Sequence, residues 1–482
     1  MRRRSFLAAA AAQAGTAGVF CASAAPPAPR LNVLFITADD LGLNLGCYGE
    51  RRFSTPNLDS LAATGVRFTT AYVAQASCSP SRSAMFTGLF PHANGQYGLA
   101  NTGFRLHEEF TNRTIPVFAR KAGYRTGIIG KLHVEPESSF PWDHRKTGNT
   151  TRQVRTVAEE SSQFIRESGE QPFFLMVNFS DPHAFRNEKA IGGWDFPPQI
   201  DGVPEKPLPP GASTLFHWQR IEQEQQQVRT AGYFNAIQRL DVGIGQLMRV
   251  LEESGKAANT LVIFVGDHGP PFARGKTTVY ESGLRVPFFL RWPGVTKPGQ
   301  VNERFVSTVD ILPTILDVMG TQAPKGLHGD SLRKAVRGEK WREYLAAEFH
   351  CHGARPIFPR RAIRDTRYKL IHNLLAGREK PSTGIDGDQA YPYSREAKYD
   401  GTPVRQAFET FANPPEFELY DLQRDPIEFH NLAGGKEIAQ VEERLKKALH
   451  RWRTETSDPF LDPSFLEKFL RDGAPATRGK KG

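Results

Sequence analysis

A thiol and a guanidinium stand one helical turn apart in the segment Cys78-Ser79-Pro80-Ser81-Arg82, which Ser83-Ala84-Met85-Phe86-Thr87-Gly88 follows. Pro80 favours a first helical turn, so a helix is predicted to begin near Cys78 and to continue to Gly88. The free N–H groups at a helix start favour anionic chemistry, and Arg82 stays protonated. The motif therefore predicts either a reactive centre at Cys78 or a structural cysteine before a helix that has a proline in its first turn.

Charged and imidazole side chains also follow four short apolar runs, at 32–37, 126–129, 173–177 and 260–265. These side chains are Asp39 and Asp40, Lys131 and His133, Asp181 and His183, and Asp267 and His268. A single acidic residue at the end of a strand usually lies in a solvent-exposed turn. In open α/β sheets, however, ligands bind beyond the carboxyl ends of the strands, so four such ends are expected to converge on one site.

The apolar runs are rich in β-branched residues, which is typical of strands buried on both faces. Between the third and fourth runs, apolar residues recur at helical spacing from Tyr233 to Leu251, and Gly255 is a plausible stop. Strands that alternate with helices predict an α/β fold in which helices sandwich a large, mostly parallel sheet. The Pro- and Gly-rich stretch 192–211 is predicted to be a long loop.

The pattern changes near Pro324. Short strand candidates at 368–372 and 417–420 frame a polar insertion rich in Gly and Pro at 376–415, and an amphipathic helix runs from Ile438 to Trp452. These features predict a catalytic domain at 30–323, a smaller C-terminal α+β domain at 324–472 and a disordered tail at 473–482.

The first 24 residues combine Arg2, Arg3 and Arg4 with an alanine-rich apolar run and a small-residue cleavage site. This pattern predicts a signal peptide of the twin-arginine type and export to the periplasm or the medium. No later stretch approaches the ~18 apolar residues of a membrane span, so none is predicted.

Charge and cysteine content exclude several classes of protein. The formal charge is +10, to which the signal contributes three, so the folded body is mildly basic. No RNP-like, helix-turn-helix or zinc-finger spacing is present, and no nucleic-acid partner is predicted. Outside the signal stand Cys47, Cys78 and Cys351, an odd number, so at least one is not in an internal disulfide.

The chemistry-bearing segments resemble, in type and order, those of type I sulfatases of the alkaline phosphatase-like superfamily. They are Asp39-Asp40, Thr55-Pro56-Asn57-Leu58-Asp59, the Cys78 motif with Thr87-Gly88, Gly123-Tyr124-Arg125-Thr126, Gly130-Lys131-Leu132-His133, Asp181-Pro182-His183, Asp267-His268-Gly269, Lys276, Tyr280-Glu281-Ser282-Gly283-Leu284-Arg285-Val286-Pro287 and Glu418-Leu419-Tyr420-Asp421. The resemblance implies that a maturation enzyme oxidises Cys78 to formylglycine, and that the substrate is a sulfated saccharide.

The resemblance also implies a metal site. Asp39, Asp40 and Asp267, together with the modified Cys78, would bind one hard cation, Ca²⁺ or Mg²⁺. His268 stands where the family usually has Asn and is kept as a ligand, and its nitrogen leaves room for another divalent ion.

The remaining implied roles concern charge and proton transfer. Arg82, Lys131 and Lys276 would hold the sulfate group and stabilise its negative charge. His183 resembles the acid that protonates the leaving group, and His133 resembles the base that releases sulfate. A pKa near neutrality suits both histidines to these tasks.

Within the family, the segments 125–134, 179–183 and 452–459 resemble the N-sulfoglucosamine sulfohydrolases of heparan sulfate degradation. Two features depart from that subfamily: Lys276 stands where it has Arg, and the stretch 348–352 agrees only loosely. His350 and His352 in that stretch would either contact the sugar or cap a loop.

Other functions stay open: an O-sulfatase of another glycan, a phosphoesterase or phosphonate hydrolase with the same metal site, and a sulfoglycan-binding protein with an unmodified Cys78.

Overall fold

The structure is a computed structural model that describes residues 30–196, 207–211 and 214–473. The predicted signal at 1–24, the tail after Gly473 and part of the predicted loop at 192–211 lie outside these ranges. The strands are β1 (Asn32–Ala38), β2 (Val66–Phe68), β3 (Ala71–Tyr72), β4 (Arg125–Gly130), β5 (His144–Lys146), β6 (Phe173–Phe179), β7 (Phe185–Arg186), β8 (Trp194–Asp195), β9 (Thr260–Gly266), β10 (Phe288–Arg291), β11 (Gln300–Asn302), β12 (Val306–Ser307), β13 (Leu345–Phe349), β14 (Arg360–Arg364), β15 (Tyr368–Asn373) and β16 (Phe417–Asp421). The α-helices are α1 (Pro56–Ala63), α2 (Cys78–Thr87), α3 (Pro91–Asn94), α4 (Ile115–Lys121), α5 (Val154–Glu167), α6 (Glu224–Glu253), α7 (Glu281–Leu284), α8 (Ile311–Val318), α9 (Leu332–Arg337), α10 (Ala390–Ser394), α11 (Pro403–Ala412), α12 (Ala439–Glu455) and α13 (Pro463–Asp472).

The large sheet has eight strands in the order β11-β2-β10-β9-β1-β6-β4-β5. Strand β1 lies at its centre and pairs in parallel with β6 and β9. Of the eight strands, β10 alone runs antiparallel to its neighbours β9 and β2. The four predicted apolar runs are β1, β4, β6 and β9, so the predicted mostly parallel sheet is confirmed.

The central strands are buried because both faces of the sheet are covered. Alternate residues of β1 point to opposite faces. Val33 and Phe35 belong to one core, which includes residues of α8, and Leu34 and Ile36 belong to the other, which includes residues of α6. Gly255 follows α6 with φ of +72°, which confirms the predicted stop.

A smaller antiparallel sheet, in the order β13-β14-β15-β16, follows in the C-terminal part. Helix α12 packs Leu445 and Leu449 against residues of β14 to β16. The predicted insertion at 376–415 contains α10 and α11, and Val404 and Phe408 of α11 are buried in the core of the large sheet. The predicted fold class is therefore confirmed, and the domain boundary at 323/324 stays a prediction. Within the described residues, no helix is both long and apolar enough to cross a membrane.

Candidate active site

The ends of β1 and β9 are tied together by backbone and carboxylate hydrogen bonds. The Asp267 N–H donates to the Ala38 carbonyl at 2.9 Å, and the Asp40 N–H donates to the Asp267 carboxylate at 2.9 Å. Asp40 has a φ of +66°, so the chain turns sharply directly after β1. This turn places the consecutive carboxylates of Asp39 and Asp40 beside that of Asp267.

Cys78 occupies the first turn of α2, as its motif predicts, and Gly88 ends the helix with φ of +68°. The cysteine side chain is buried. Its Sγ lies 3.3 Å from His268 Nε2 and 3.8 Å from Asp39 Oδ1. Burial alone would raise the pKa of the Cys78 thiol, but Lys131 and Lys276 lower it well below its usual range. The position therefore stabilises negative charge.

Arg82 links α2 to three of the strand ends from a fully buried position. Its Nε donates to Asp267 at 3.0 Å. Its Nη1 donates to the Asn178 side chain at 2.8 Å and to the Lys131 carbonyl at 3.0 Å. Because a guanidinium has several donors in a rigid plane, it fixes the relative positions of these groups.

Two lysines bind the two consecutive carboxylates. Lys131 Nζ lies 2.7 Å from Asp39 Oδ2. Lys276 Nζ lies 3.0 Å from Asp40 Oδ1 and 2.8 Å from Asp386 Oδ2. Both ammonium groups therefore stay within reach of an anion that approaches Cys78.

The two predicted proton-transfer histidines lie in the same region. His183 Nε2 is 3.8 Å from Asp40 Oδ2, and its ring contacts the Ala184 carbonyl through Nδ1. Burial would lower the pKa of His183, but the Asp40 carboxylate raises it to about 9. Burial and the charge of Lys131 lower the pKa of His133. One histidine thus favours the protonated form and the other the neutral form, as an acid and a base require.

The segment that carries His183 is held by a buried ion pair. Arg239 of α6 donates to both oxygens of the Asp181 carboxylate at 2.6 Å. Arg152 donates to Asp181 at 2.8 Å and to the His183 carbonyl at 2.8 Å. These contacts fix the backbone on both sides of Pro182.

The residues predicted as metal ligands fit a divalent cation. One ligand atom from each of Asp39, Cys78, Asp267 and His268 lies within 4.8 Å of the others, and Asp40 shares a second such group with Asp39, Cys78 and His183. Burial, and then the nearby Asp39 carboxylate, raise the pKa of Asp267 to about 7. Crowded buried carboxylates of this kind are typical of sites that bind Ca²⁺ or Mg²⁺.

The structure separates the two histidines predicted to contact substrate. His352 Nδ1 lies 2.9 Å from the hydroxyl of Ser77, the residue before Cys78, so His352 adjoins the cluster. His350 is completely buried, bonds the Gln75 side chain at 2.9 Å and packs on the rings of Tyr97 and Phe460. His350 therefore lies behind the site rather than at its surface.

A cleft of about 850 Å³ opens onto the cluster. Its lining includes Asp39, Lys131, His133 and His183 of the cluster. It also includes three arginines and one glutamate, namely Arg145, Arg152, Arg186 and Glu137. Arg145 pairs with Glu137 and Arg152 pairs with Asp181, so Arg186 is the wall residue that offers positive charge to an anionic substrate.

Two polar residues of the site are absent from the sequence prediction. Asn178 stands in the otherwise apolar strand β6, accepts hydrogen bonds from Thr37 and Arg82 and is buried. A polar residue inside a buried strand is a signal that could have identified it. Asp386 comes from the C-terminal insertion, more than 100 residues from Lys276 in the chain, and no local pattern marks it.

The three cysteines of the described chain are free, in agreement with their odd number.

Comparison with protein families gives two matches. The family model described as Sulfatase matches residues 31–321. The model described as N-sulphoglucosamine sulphohydrolase, C-terminal, matches residues 266–380.

Among characterised proteins, the chain is 32% identical to the human N-sulphoglucosamine sulphohydrolase, with 90% of this chain and 91% of the relative covered. It is 30% identical to an ulvan-active sulfatase of Formosa agariphila, with 89% and 80% covered.

Among solved structures, a protein in complex with its substrate D-glucosamine-2-N,6-O-disulfate has a TM-score of 0.64 at 21% identity, over 89% of this chain and 98% of the other. A phosphonate monoester hydrolase of Agrobacterium radiobacter has a TM-score of 0.62 at 22% identity, over 89% and 96%. At these identities the structural similarities concern the fold.

Proposed function

Because the chain belongs to the sulfatase family, a family of sulfuric ester hydrolases, we propose that it removes the N-sulfate of N-sulfoglucosamine in fragments of heparan sulfate or heparin. One observation carries the proposal: Cys78 lies at the first turn of a helix, among three buried carboxylates and next to Lys131, Lys276 and Arg82. Hydrolysis of a sulfate group requires a nucleophile and positive charge at one point, and this arrangement provides the charge.

The identity of the nucleophile is an inference from membership of the family. We propose that a maturation enzyme converts Cys78 to formylglycine, whose hydrated aldehyde supplies an oxygen nucleophile. A Ca²⁺ or Mg²⁺ ion held by Asp39, Asp40, Asp267 and His268 would stabilise negative charge on that oxygen and on the sulfate. Lys131 and Lys276 bind the sulfate oxygens, and Arg82 keeps the carboxylates and the Lys131 backbone in place.

The two histidines divide the proton transfers. His183, next to Asp40, holds a proton and donates it to the leaving nitrogen as the S–N bond breaks. His133, neutral beside Lys131, accepts a proton when sulfate leaves the modified side chain. In the complete reaction one water is consumed, the sugar amine is released, and sulfate is the second product.

Two findings support the N-sulfated sugar as the substrate. The C-terminal family model and the human relative both carry the name of N-sulphoglucosamine sulphohydrolase. The lining of the cleft includes Arg186, whose positive charge suits an anionic saccharide. We also propose export through the twin-arginine signal, which fractionation of cells that express the full chain would test.

The substrate is tested with purified, matured protein. Sulfate release from N-sulfoglucosamine and from glucosamine 6-sulfate, and alcohol release from an alkyl phosphonate monoester, are compared at equal concentrations, with Cys78→Ala as the inactive control. We expect N-sulfoglucosamine to be hydrolysed with the highest kcat/KM. Hydrolysis of glucosamine 6-sulfate alone would assign an O-sulfatase, and preference for the phosphonate would assign a phosphonate hydrolase.

A further inference from the structure

A carboxylate from the C-terminal insertion reaches the sulfate-binding region. Asp386 Oδ2 lies 2.8 Å from Lys276 Nζ, which is also 3.0 Å from Asp40. Burial would raise the pKa of Asp386, but Lys276, followed by His183 and His352, lowers it to about 2. Asp386 is therefore ionised and faces the same groups that surround Cys78.

The position of Asp386 is fixed by its neighbours. Arg229 of α6 donates to the Asp386 carbonyl and, at 3.3 Å, to the carbonyl of Trp194. Buried Asp388 accepts from the Ala273 N–H at 2.8 Å and from Gln226 at 2.7 Å, which ties the segment to the loop that carries Lys276. The insertion is thus anchored at Asp386 and Asp388 to α6 and to the loop that carries Lys276.

Gly387 permits a close approach at the same place. Gly387 has a φ of +84°, and its backbone packs directly on Gly192. A Cβ atom added to Gly192 would lie only 2.5 Å from the Gly387 carbonyl oxygen. Such local constraints are unnecessary for an ordinary surface ion pair, whose energetic contribution is small. They indicate that the orientation of the Asp386 carboxylate matters.

An ionised carboxylate repels a sulfate group, so its presence beside Lys276 requires a compensating role. Sugars that carry a sulfate also carry hydroxyl groups, and a carboxylate accepts hydrogen bonds from hydroxyl donors.

We propose that Asp386 determines specificity by accepting a hydrogen bond from a ring hydroxyl of the sugar that carries the sulfate or sulfamate group. This inference rests on the proposed function and adds a contact to the sugar ring. A site built to bind a hydroxyl group discriminates strongly against an analogue that lacks it, because the hydrogen bond that Asp386 accepts from that hydroxyl is then lost.

The test compares N-sulfoglucosamine with analogues that each lack one ring hydroxyl. For the wild type, we expect kcat/KM to fall about 10- to 100-fold for one analogue, the range for a hydrogen bond to a charged group. For Asp386→Asn, the same analogue and the parent sugar should differ by less than about threefold, because the charged acceptor is gone. Equal discrimination by both proteins, or an equal loss on every substrate, would overturn the proposal and leave Asp386 as a positioning residue for Lys276.

Two controls keep the outcomes distinct. Asp400→Asn removes another ion-paired aspartate from the same insertion, one that pairs with Arg405 and is largely exposed, and should retain the wild-type discrimination. Asp386→Ser serves as a second variant if Asp386→Asn fails to fold, and thermal melting checks both. A wild type that releases no sulfate from any of these sugars refutes the proposed function instead.

Discussion

The ion pair between Asp181 and Arg239 connects the stability of the fold to the position of His183. Arg239 is completely buried on α6, and two of its nitrogens lie 2.6 Å from the Asp181 oxygens. The substitution Arg239→Met keeps much of the apolar volume but removes both hydrogen bonds. Asp181 retains one partner, Arg152 at 2.8 Å.

Removal of one partner from a buried pair costs about 3–5 kcal/mol, and the remaining bond to Arg152 favours the lower end, about 3 kcal/mol. This is a large part of the ~5–15 kcal/mol that stabilises a typical protein. Because Arg152 and Asp181 also fix the backbone of His183, we expect kcat to fall more than KM rises.

Denaturant unfolding and steady-state kinetics measure the two effects. The matched control is Arg291→Met on β10: two nitrogens of Arg291 are buried without a hydrogen-bond partner among the described residues, so its replacement should not lower the free energy of unfolding. A loss below about 1 kcal/mol in Arg239→Met, with kcat unchanged, would refute this account of the Asp181 pair.

Two further predictions concern the cation and the buried histidine. Removal of the cation by a chelator should abolish sulfate release. It should also lower the free energy of unfolding by about 2–3 kcal/mol, compared with protein at a cation concentration about a hundred times the Kd. Added Ca²⁺ or Mg²⁺ should restore both, and full activity after exhaustive chelation would exclude the metal role of Asp39, Asp40 and Asp267. Burial holds the pKa of His350 at about 3 in the folded protein, whereas the ordinary pKa of histidine is about 6.5. Between pH 6.5 and pH 3 the unfolded chain therefore binds more protons than the folded protein, and the free energy of unfolding falls as the pH falls. His350→Gln should flatten that decline by up to ~1.4 kcal/mol per pH unit in denaturant unfolding at pH 4–7, and an unchanged slope would contradict the prediction.

Local sequence patterns predict the strands and helices that form because of the residues within them. The four apolar runs became β1, β4, β6 and β9 because a strand covered on both faces needs no polar alternation. Their parallel arrangement brought Asp39, Lys131, His183 and Asp267 to one edge, as the topology of such sheets requires.

Contacts between distant segments could not be predicted in this way. Asp386 reaches Lys276 only because α10 and α11 pack the insertion onto the large sheet, and the polar Gly- and Pro-rich composition of 376–415 conceals the apolar face of α11. His350 and His352 are two residues apart in sequence, yet one is buried behind Gln75 and the other adjoins Ser77. Residues two apart in a strand point to the same face, but β13 ends at Phe349, so the irregular backbone after it separates the two histidines in a way that the sequence pattern does not predict.

We expect catalysis to depend on the chemical state of Cys78. Protein expressed with a formylglycine-generating enzyme is separated into active and inactive fractions, and the peptide that contains Cys78 is analysed by mass spectrometry in each. We expect sulfate release to rise in proportion to the fraction of Cys78 converted to the aldehyde, and unconverted protein to be inactive. Full activity from protein whose Cys78 is entirely an unmodified thiol would contradict it.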